Sequence, residues 1–314
     1  MIGYILKRLF SVIPVLLISS VVIFSIIHLT PGDPATILLG DDANSEQIKE
    51  LREEMGLNDS IFKQYWDWIS SALYGDLGNS YFMKQPVFEA IKSHIGPTVS
   101  LAIIAEIIAL FISIPLGILA AIKRGTSTDQ FVMVLSLAGM AVPSFLLAVF
   151  FALIVGVNLG WLPVAGYSPL SSGLWEHVKY LIMPAISLGA IQAALIARMT
   201  RSSMLEILNK DFIKMARAKG VKERTIIYGH TLKNAFLPIL TVIGATLGSL
   251  ITGSVVTETI FNIPGIGQLI INSIERRDYS VIQGIVLFVT FTYVMVNLLI
   301  DLLYGVLDPR VRLK

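Results

Sequence analysis

Residues 99–122 read VSLAIIAEIIALFISIPLGILAAI, a run of 24 residues in which Glu106 is the only charged side chain. An α-helix of about 20 apolar residues crosses the hydrocarbon core of a bilayer. Lipid offers no hydrogen-bond partners to the backbone, so a run of this length predicts a membrane-spanning helix rather than a loop or an open strand. This stretch therefore indicates an α-helical membrane protein.

The rest of the chain has the same apolar character. Hydrophobic residues make up 54% of its 314 residues and charged residues 15%, with a mean hydropathy of +0.74. A water-soluble chain carries about 25% charged residues, so the excess apolar surface indicates lipid. The first span is too long for a signal peptide, whose apolar run is about 7–15 residues. Six spans are predicted, at 9–29, 99–122, 131–157, 181–197, 236–256 and 281–303.

The Lys and Arg residues indicate the orientation of the spans. One set of connecting segments holds 16 Lys and Arg against five acids, and the other set holds eight against fifteen. Basic connections face the cytoplasm, which predicts cytoplasmic N and C termini in a multi-pass protein of a bacterial or archaeal inner membrane. The basic set is 1–8, 123–130, 198–235 and 304–314, and the acidic set is 30–98, 158–180 and 257–280.

Several classes of function are excluded by what the sequence lacks. The chain has no cysteine, so thiolate metal sites and disulfides are impossible. A net charge of +2 without a dense basic block argues against nucleic-acid binding. There is no phosphate-binding glycine loop, zinc-protease helix or serine elbow. The chain is therefore predicted to be a transport subunit, not an enzyme, with no bound metal or cofactor.

The external connection 30–98 is long enough to hold helices of its own. Ser45 is predicted to cap a helix over 46–52 that stops at Gly56. A second helix is predicted over 61–69, where Trp66 and Trp68 are consistent with two roles. Anchoring at headgroup depth is the favoured role because interfacial Trp is frequent, and a lid or partner surface is the alternative.

The cytoplasmic connection 198–235 contains a predicted short helix over 211–220. Asp211 lies at its start, and Gly220 provides a left-handed stop. A basic juxtamembrane helix ordinarily meets anionic lipid. The small side chains of Ala216, Ala218 and Gly220 also permit close approach by another protein, so the residues alone leave both roles open.

Acidic residues inside spans are costly and are candidates for function. Glu106 is interpreted equally as a path-lining residue or as a structural group of the bundle. Asp301, near the end of the last span, is interpreted as a structural partner of interfacial cations. Gly244 and Gly248 of the fifth span permit close helix packing, as does the small Gly253. A self-sufficient proton-coupled carrier is a competing class, although it ordinarily needs several buried acids.

Short motifs spread over nearly the whole chain carry a resemblance. In chain order they are Lys7-Arg8, Pro31-Gly32-Asp33-Pro34, Gly56-Leu57, Gln64-Tyr65, Gly75-Asp76-Leu77-Gly78 with Ser80, Met215-Ala216-Arg217-Ala218-Lys219-Gly220, Asn234-Ala235, Pro238, Glu258, Phe261, Pro264-Gly265-x-Gly267, Asp278-Tyr279, Gln283-Gly284 and Asp308-Pro309-Arg310. In this order they resemble the permease subunits of binding-protein-dependent ABC importers, in the dipeptide/oligopeptide/nickel branch. Met215 stands where the general cytoplasmic loop of such permeases has Glu, a departure that is itself typical of this branch.

The resemblance implies an all-α membrane protein with the type I ABC importer transmembrane fold and six transmembrane helices. The implied divisions are a tail and first helix (1–29), an extracytoplasmic helical insertion (30–98), a transmembrane type-1 core with the coupling loop 198–235 (99–304) and a cytoplasmic tail (305–314). Implied partners are a second homologous permease, two ABC ATPase subunits that use ATP and Mg²⁺, a solute-binding protein and the lipid bilayer.

The resemblance also implies a function and site residues. The two permeases would form a path for di- or oligopeptides, with nickel chelate or glutathione as alternative substrates. The residues implied in ATPase coupling are Asp211, Phe212, Met215, Ala216, Arg217, Ala218, Lys219 and Gly220. The candidates for the translocation path are Glu106, Gly248, Gly253 and Glu258.

Overall fold

The computed structural model describes residues 2–29, 33–39 and 44–307, and it is almost entirely helical. The motif residues 31–32 and 308–310 lie outside the described residues, as do the side chains of Lys7, Arg8 and Asp301. The helices are α1 (Ile2–Leu29), α2 (Pro34–Leu39), α3 (Ser45–Glu54), α4 (Ile61–Leu73), α5 (Val87–Ile122), α6 (Ser127–Ala141), α7 (Ser144–Phe151), α8 (Leu174–Leu208), α9 (Asp211–Ala218), α10 (Glu223–Thr225), α11 (Lys233–Gly253), α12 (Val255–Ile260), α13 (Ile266–Glu275) and α14 (Tyr279–Leu307).

Short non-α segments complete the chain. The strands β1 (Asn79–Ser80) and β2 (Gln85–Pro86) pair antiparallel. The π-helical segment Ala152–Asn158 extends α7, and a second one, Ile226–Leu232, joins α10 to α11. A 3₁₀ turn, Leu170–Ser172, precedes α8.

Helices long and apolar enough to cross a membrane account for most of the predicted spans. Among the described residues, four single helices meet this condition, and α1 contributes the shorter apolar stretch Val12–Ile26. A fifth candidate is a bent pair formed by Ser127–Ala141 and Ser144–Asn158. The count of six spans and the orientation of the termini stay predictions. The four helices are Val87–Ile122, Leu174–Leu208, Glu223–Gly253 and Tyr279–Ile300.

Two of the predicted span boundaries are wrong. The segment 131–157 was predicted as one continuous helix, but α6 and α7 meet at an angle of 94°. The cause is Pro143, whose ring disfavours the helical conformation of the preceding residue, and Val142 accordingly has an extended backbone. The predicted span 236–256 also runs too far, because α11 ends at Gly253.

The described residues form two compact units. The first contains Pro97–Ile263 together with 295–307, and the second contains Ile2–Gly96 together with Pro264–Val294. Most of the predicted insertion 30–98 falls in the second unit, together with the first helix, α13 and the start of α14. Its division as an extracytoplasmic insertion stays a prediction. The units are described separately below.

Helix α8 is the centre of the first unit, where it packs against α6, α7 and α11. Its close approach to α5 depends on glycine. A Cβ atom added to Gly189 would lie 2.8 Å from the backbone oxygen of Ala105, and one added to Gly117 would lie 2.6 Å from the Cβ of Thr200. A Cβ on Gly244 would collide with the side chain of Ile300, so this glycine serves packing within the chain.

An ion pair joins α6 to the far end of α8. Arg201 Nε donates to Asp129 Oδ1 at 2.6 Å, and the second guanidinium nitrogen donates to Oδ2 at 2.8 Å. The backbone N–H of Gly125 also donates to Asp129 Oδ2, at 3.0 Å. Asp129 is only 4% exposed, so this carboxylate depends on these bonds. The pair fixes the start of α6 to α8, at a point ten residues before the start of α9.

The second unit has its own core, formed where residues 77–91 pack against α13 and the start of α14. Ser80 donates a hydrogen bond to the buried Asp278, 198 positions away in the sequence. A Cβ on Gly284 would lie 2.5 Å from a methyl group of Val87. Motif residues that are distant in the sequence thus meet in one core.

The helices of the external connection agree only partly with the prediction. Asn44, not Ser45, caps α3, and it forms a capping box with Gln47. Both residue types are good caps, and here the reciprocal hydrogen bonds select Asn44. Gly56 has a positive φ of 66° after the end of this helix, which confirms the predicted stop. Helix α4 begins at Ile61 as predicted.

We expect Gly189→Ala to destabilise the protein by about 1–3 kcal/mol, because the added methyl group forces α5 and α8 apart. The control is Gly139→Ala, since a Cβ there would have ordinary contacts of 3.5 Å with Ala194. Thermal unfolding of the purified protein in detergent measures both variants. Equal midpoints for the two would contradict the close packing described.

We expect Asp129→Ala to lower the free energy of unfolding by about 1–3 kcal/mol, because Arg201 loses two charge-assisted hydrogen bonds. The exposed pair Lys63–Asp59 is the control, and Asp59→Ala should cost about 0–1 kcal/mol. A double-mutant cycle with Arg201→Ala measures the coupling. Additive effects of the two single changes would show that the ion pair contributes no stability.

Candidate functional site

The candidate site is α9, a helix of eight residues between the end of α8 and the second π-helical segment. Asp211 occupies its first position, where a negative charge is favoured by the helix dipole. Lys214 donates a hydrogen bond of 2.9 Å to Asp211, and this interaction lowers the pKa of that carboxyl. The predicted start of the helix at Asp211 is therefore confirmed.

Gly220 ends this segment in a left-handed conformation, with a φ of 75°. The backbone N–H of Gly220 donates to the carbonyl of Arg217 at 3.0 Å, and that of Val221 donates to Ala216 at 3.2 Å. An L-residue in this conformation costs about 1–2 kcal/mol, so the backbone conformation alone favours glycine here. Apart from its two chain neighbours, no described residue has an atom within 4 Å of the position that a Cβ would take, so the space beside Gly220 is open.

One face of α9 holds it against the chain. Ile213 is fully buried, and the helix packs against the π-helical segment Ile226–Leu232. Arg217 reaches across the turn to the carboxylate of Glu223, with hydrogen bonds of 2.6 and 3.2 Å. The hydrogen bond to Glu223 raises the pKa of Arg217. An apolar anchor and an ion pair thus fix both the depth and the end of the helix.

The other face of α9 is exposed and partly apolar. Phe212 and Met215 are both exposed, three residues apart and therefore neighbours on the helix surface. Ala216 is half-buried, while Ala218 and Lys219 are exposed. A large apolar pair on a rigid helix, next to residues with small side chains, is a surface that another protein can approach closely.

The four residues predicted for the translocation path do not share one surface. Glu106 of α5 is 6% exposed, and its Oε1 accepts a hydrogen bond of 3.2 Å from Thr246. Its other oxygen is buried without a hydrogen-bond partner in the described part of the chain. Gly248 is buried within α11, whereas Gly253, the last residue of α11, is exposed with open space around it.

Glu258 lies in the interior of the first unit, with no exposed surface. Its Oε1 accepts hydrogen bonds from Thr98 Oγ1 at 2.7 Å and from Ser254 Oγ at 2.8 Å. These bonds tie α12 to α5. This geometry supports a role in holding the helices together, because a fully buried carboxylate has no surface to offer to a passing solute.

Two paired sites were not found from the sequence. The Asp129–Arg201 pair joins residues of two basic connections. The only feature of the sequence that points to it is an acidic residue among basic ones. The Ser80–Asp278 pair joins two motifs that were quoted for the resemblance without a stated role. Among the described residues, no group of three or more His, Asp or Glu side chains is arranged to hold a metal ion.

Two family descriptions match the chain. The family described as binding-protein-dependent transport system inner membrane component matches residues 113–313. The N-terminal family of the same membrane component matches residues 1–102. Together these matches extend over most of the chain, including α9.

Curated relatives match over almost the full length. The dipeptide transport system permease protein DppB of Alkalihalophilus pseudofirmus is 42% identical over 332 residues, which cover 99% of this chain and 100% of the relative. The glutathione transport system permease protein GsiC of Shigella flexneri serotype 5b is 38% identical over 314 residues, which cover 100% of both chains.

The fold is similar to that of a solved transporter. The MetNI methionine ABC transporter in an inward-facing conformation superposes with a TM-score of 0.57 at 18% identity, covering 69% of this chain and 96% of that chain. This likeness shows the type I ABC importer permease fold. The chain is a transport subunit and not an enzyme, because ATP hydrolysis in these systems belongs to a separate subunit. It belongs to the binding-protein-dependent transport system inner membrane component family, the ABC importer permeases, and is a multi-pass protein of the bacterial inner membrane.

Proposed function

We propose that the chain is one of two permease subunits that form the path for short peptides in an ATP-driven importer, with α9 as its docking helix for an ATPase subunit. The exposed face of α9 carries this proposal. Phe212 and Met215 present an apolar surface, while Ile213 and the Arg217–Glu223 ion pair hold the helix rigidly to the chain. A rigid helix transmits a displacement that a mobile loop would absorb.

Peptides are the proposed substrates because the relatives' names point to them. The 42%-identical relative is named for dipeptide and the 38%-identical relative for glutathione, which is itself a tripeptide. Both solutes carry peptide bonds together with ammonium and carboxylate groups. Dipeptides are the first candidate and glutathione is the second. Nickel chelate is a weaker alternative, because neither of these relatives is named for it.

The partners follow from the same assignment. A second, homologous permease completes the path, and two ATPase subunits bind ATP and Mg²⁺ on the cytoplasmic side. A solute-binding protein delivers the peptide from outside. Of the four predicted path residues, Gly253 is exposed with open space beside it, and Glu106 has one carboxyl oxygen without a hydrogen-bond partner in the described part of the chain. Gly248 and Glu258 support the path from within the bundle.

The test of this function uses the complex with its partner subunits, reconstituted into liposomes. Uptake of a labelled dipeptide is expected to require ATP and the solute-binding protein, and loaded binding protein is expected to stimulate ATP hydrolysis. Glutathione and a nickel chelate are measured in parallel. Uptake by the chain alone that a protonophore abolishes and ATP does not affect would instead indicate a proton-coupled carrier.

We expect Gly220→Val and Ala216→Leu to abolish uptake while the chain still inserts into the membrane. The first change strains a backbone that requires a positive φ, and the second adds bulk at the docking surface. Transport and ATP hydrolysis are measured in the same liposomes. Uncoupling, with ATP hydrolysed but no peptide imported, is the expected result.

The matched control for Gly220→Val is Gly75→Val in the second unit. Gly75 also has a positive φ, of 88°, and no atom lies within 4 Å of its Cβ position. Both variants therefore have a similar backbone strain, but only one of them changes the surface around α9. Equal uptake by the two variants would contradict docking through this helix.

A further inference from the structure

Helix α4 has an unusual distribution of side chains for a helix outside the predicted spans. Three large apolar residues are strongly exposed, with Phe62 at 88%, Trp66 at 69% and Leu73 at 82%. Their spacing of four and seven residues places them on one helix face. This exposed group of three residues is referred to as the outer stripe. The predicted helix at 61–69 thus exists, but its two tryptophans lie on different faces.

Polar residues of α4 border a cavity of the second unit. Gln64, Asp67 and Ser71 line a cavity of about 740 Å³ within the second unit. In a water-soluble domain the polar side of a surface helix faces the solvent and the apolar side faces the core. In α4, Trp68 packs inward on Phe24, but the three residues of the outer stripe point away from the unit. An apolar environment outside the helix accounts for the exposure of these three side chains.

The contacts between α4 and α1 give the depth of α4. Tyr65 Oη and Ser20 Oγ are hydrogen-bonded at 2.8 Å, and the rings of Trp68 and Phe24 stack with centroids 6.0 Å apart. Nearer the end of α1, Gln64 Oε1 lies 3.0 Å from His28 Nε2. These contacts attach α4 to α1 at three successive turns.

Two of the three α1 residues in contact with α4, Ser20 and Phe24, lie within the apolar stretch Val12–Ile26 of α1. At about 1.5 Å per residue, Phe24 is about 7 Å and Ser20 about 13 Å from the end of the helix at Leu29. Half of a hydrocarbon core is about 15 Å thick. An amphipathic helix in a membrane interface has its apolar face about 5–10 Å below the boundary of headgroups and acyl chains. The level at which α4 crosses α1 agrees with that depth.

We propose that α4 lies in the membrane interface at the Leu29 end of α1, with the outer stripe in contact with the acyl chains of that leaflet. The inference does not depend on which solute is transported. Trp68 packs on Phe24 and fixes α4 to the spanning helix. Trp66 extends into lipid. The connection between α1 and α5 is thus held at a defined level of the bilayer instead of standing free in water.

This chain has no native cysteine, so labels on introduced cysteines measure this depth in an importer complex whose partner subunits are also made free of cysteine. Single-cysteine variants Phe62→Cys, Trp66→Cys and Leu73→Cys are labelled with a nitroxide in lipid nanodiscs. The control variants are the sequence neighbours Lys63→Cys and Asp67→Cys, which lie on the polar side of the same helix. Collision rates with oxygen, which enters lipid, and with a water-soluble nickel chelate give the depth of each label.

Labels on the outer stripe are expected to collide mainly with oxygen and to lie about 5–10 Å below the boundary of headgroups and acyl chains, while the control labels collide mainly with the chelate. Three stripe positions are used so that one poorly assembling variant does not decide the result. Stripe labels as accessible to the chelate as the controls would overturn the proposal. Stripe labels protected from both reagents would also overturn it and would indicate that a protein partner covers α4.

Discussion

The position of α9 depends on the packing of α8, the helix that directly precedes it. Three residues of α8 determine that packing, because Gly189 allows α5 to approach, Thr200 lies against Gly117, and Arg201 pairs with the buried Asp129. Lipid gives no hydrophobic driving force between helices, so close contacts of small residues and satisfied polar pairs have to supply the association. These contacts join α8, and with it the start of α9, to several helices of the first unit.

Helix α9, the proposed docking helix, combines a buried side and an exposed side. Ile213 is buried against the chain and Arg217 pairs with Glu223 beyond the end of the helix, while Phe212 and Met215 stay exposed. A helix with one side held to the chain and the other exposed is suited to bind another protein and to move with it. Family membership supplies the nature of that protein, since the importer permeases of this family rely on a separate ATPase subunit.

Local features of the structure could be predicted from the sequence, and long-range pairings could not. The ends of α9 follow from cap chemistry, because Gly220 needs its positive φ whatever surrounds it. The choice of Asn44 over Ser45 was missed because both are good caps. Asp129 and Arg201 are 72 positions apart, and Ser80 and Asp278 are 198 apart. Such pairs are undetermined until the fold brings them together, as is the burial of a candidate path residue such as Glu258.

The most direct test of the account is thiol cross-linking from α9 in the assembled complex, since the chain has no native cysteine. A cysteine introduced by Met215→Cys is joined by a short cross-linker to cysteines placed on the ATPase surface. The control is Lys123→Cys, an exposed position in another basic connection. The account predicts that Met215→Cys gives a cross-link to the ATPase subunit whose yield changes with bound ATP. A complex that transports peptide but gives no cross-link from this position, while Lys123→Cys does, would contradict docking through α9.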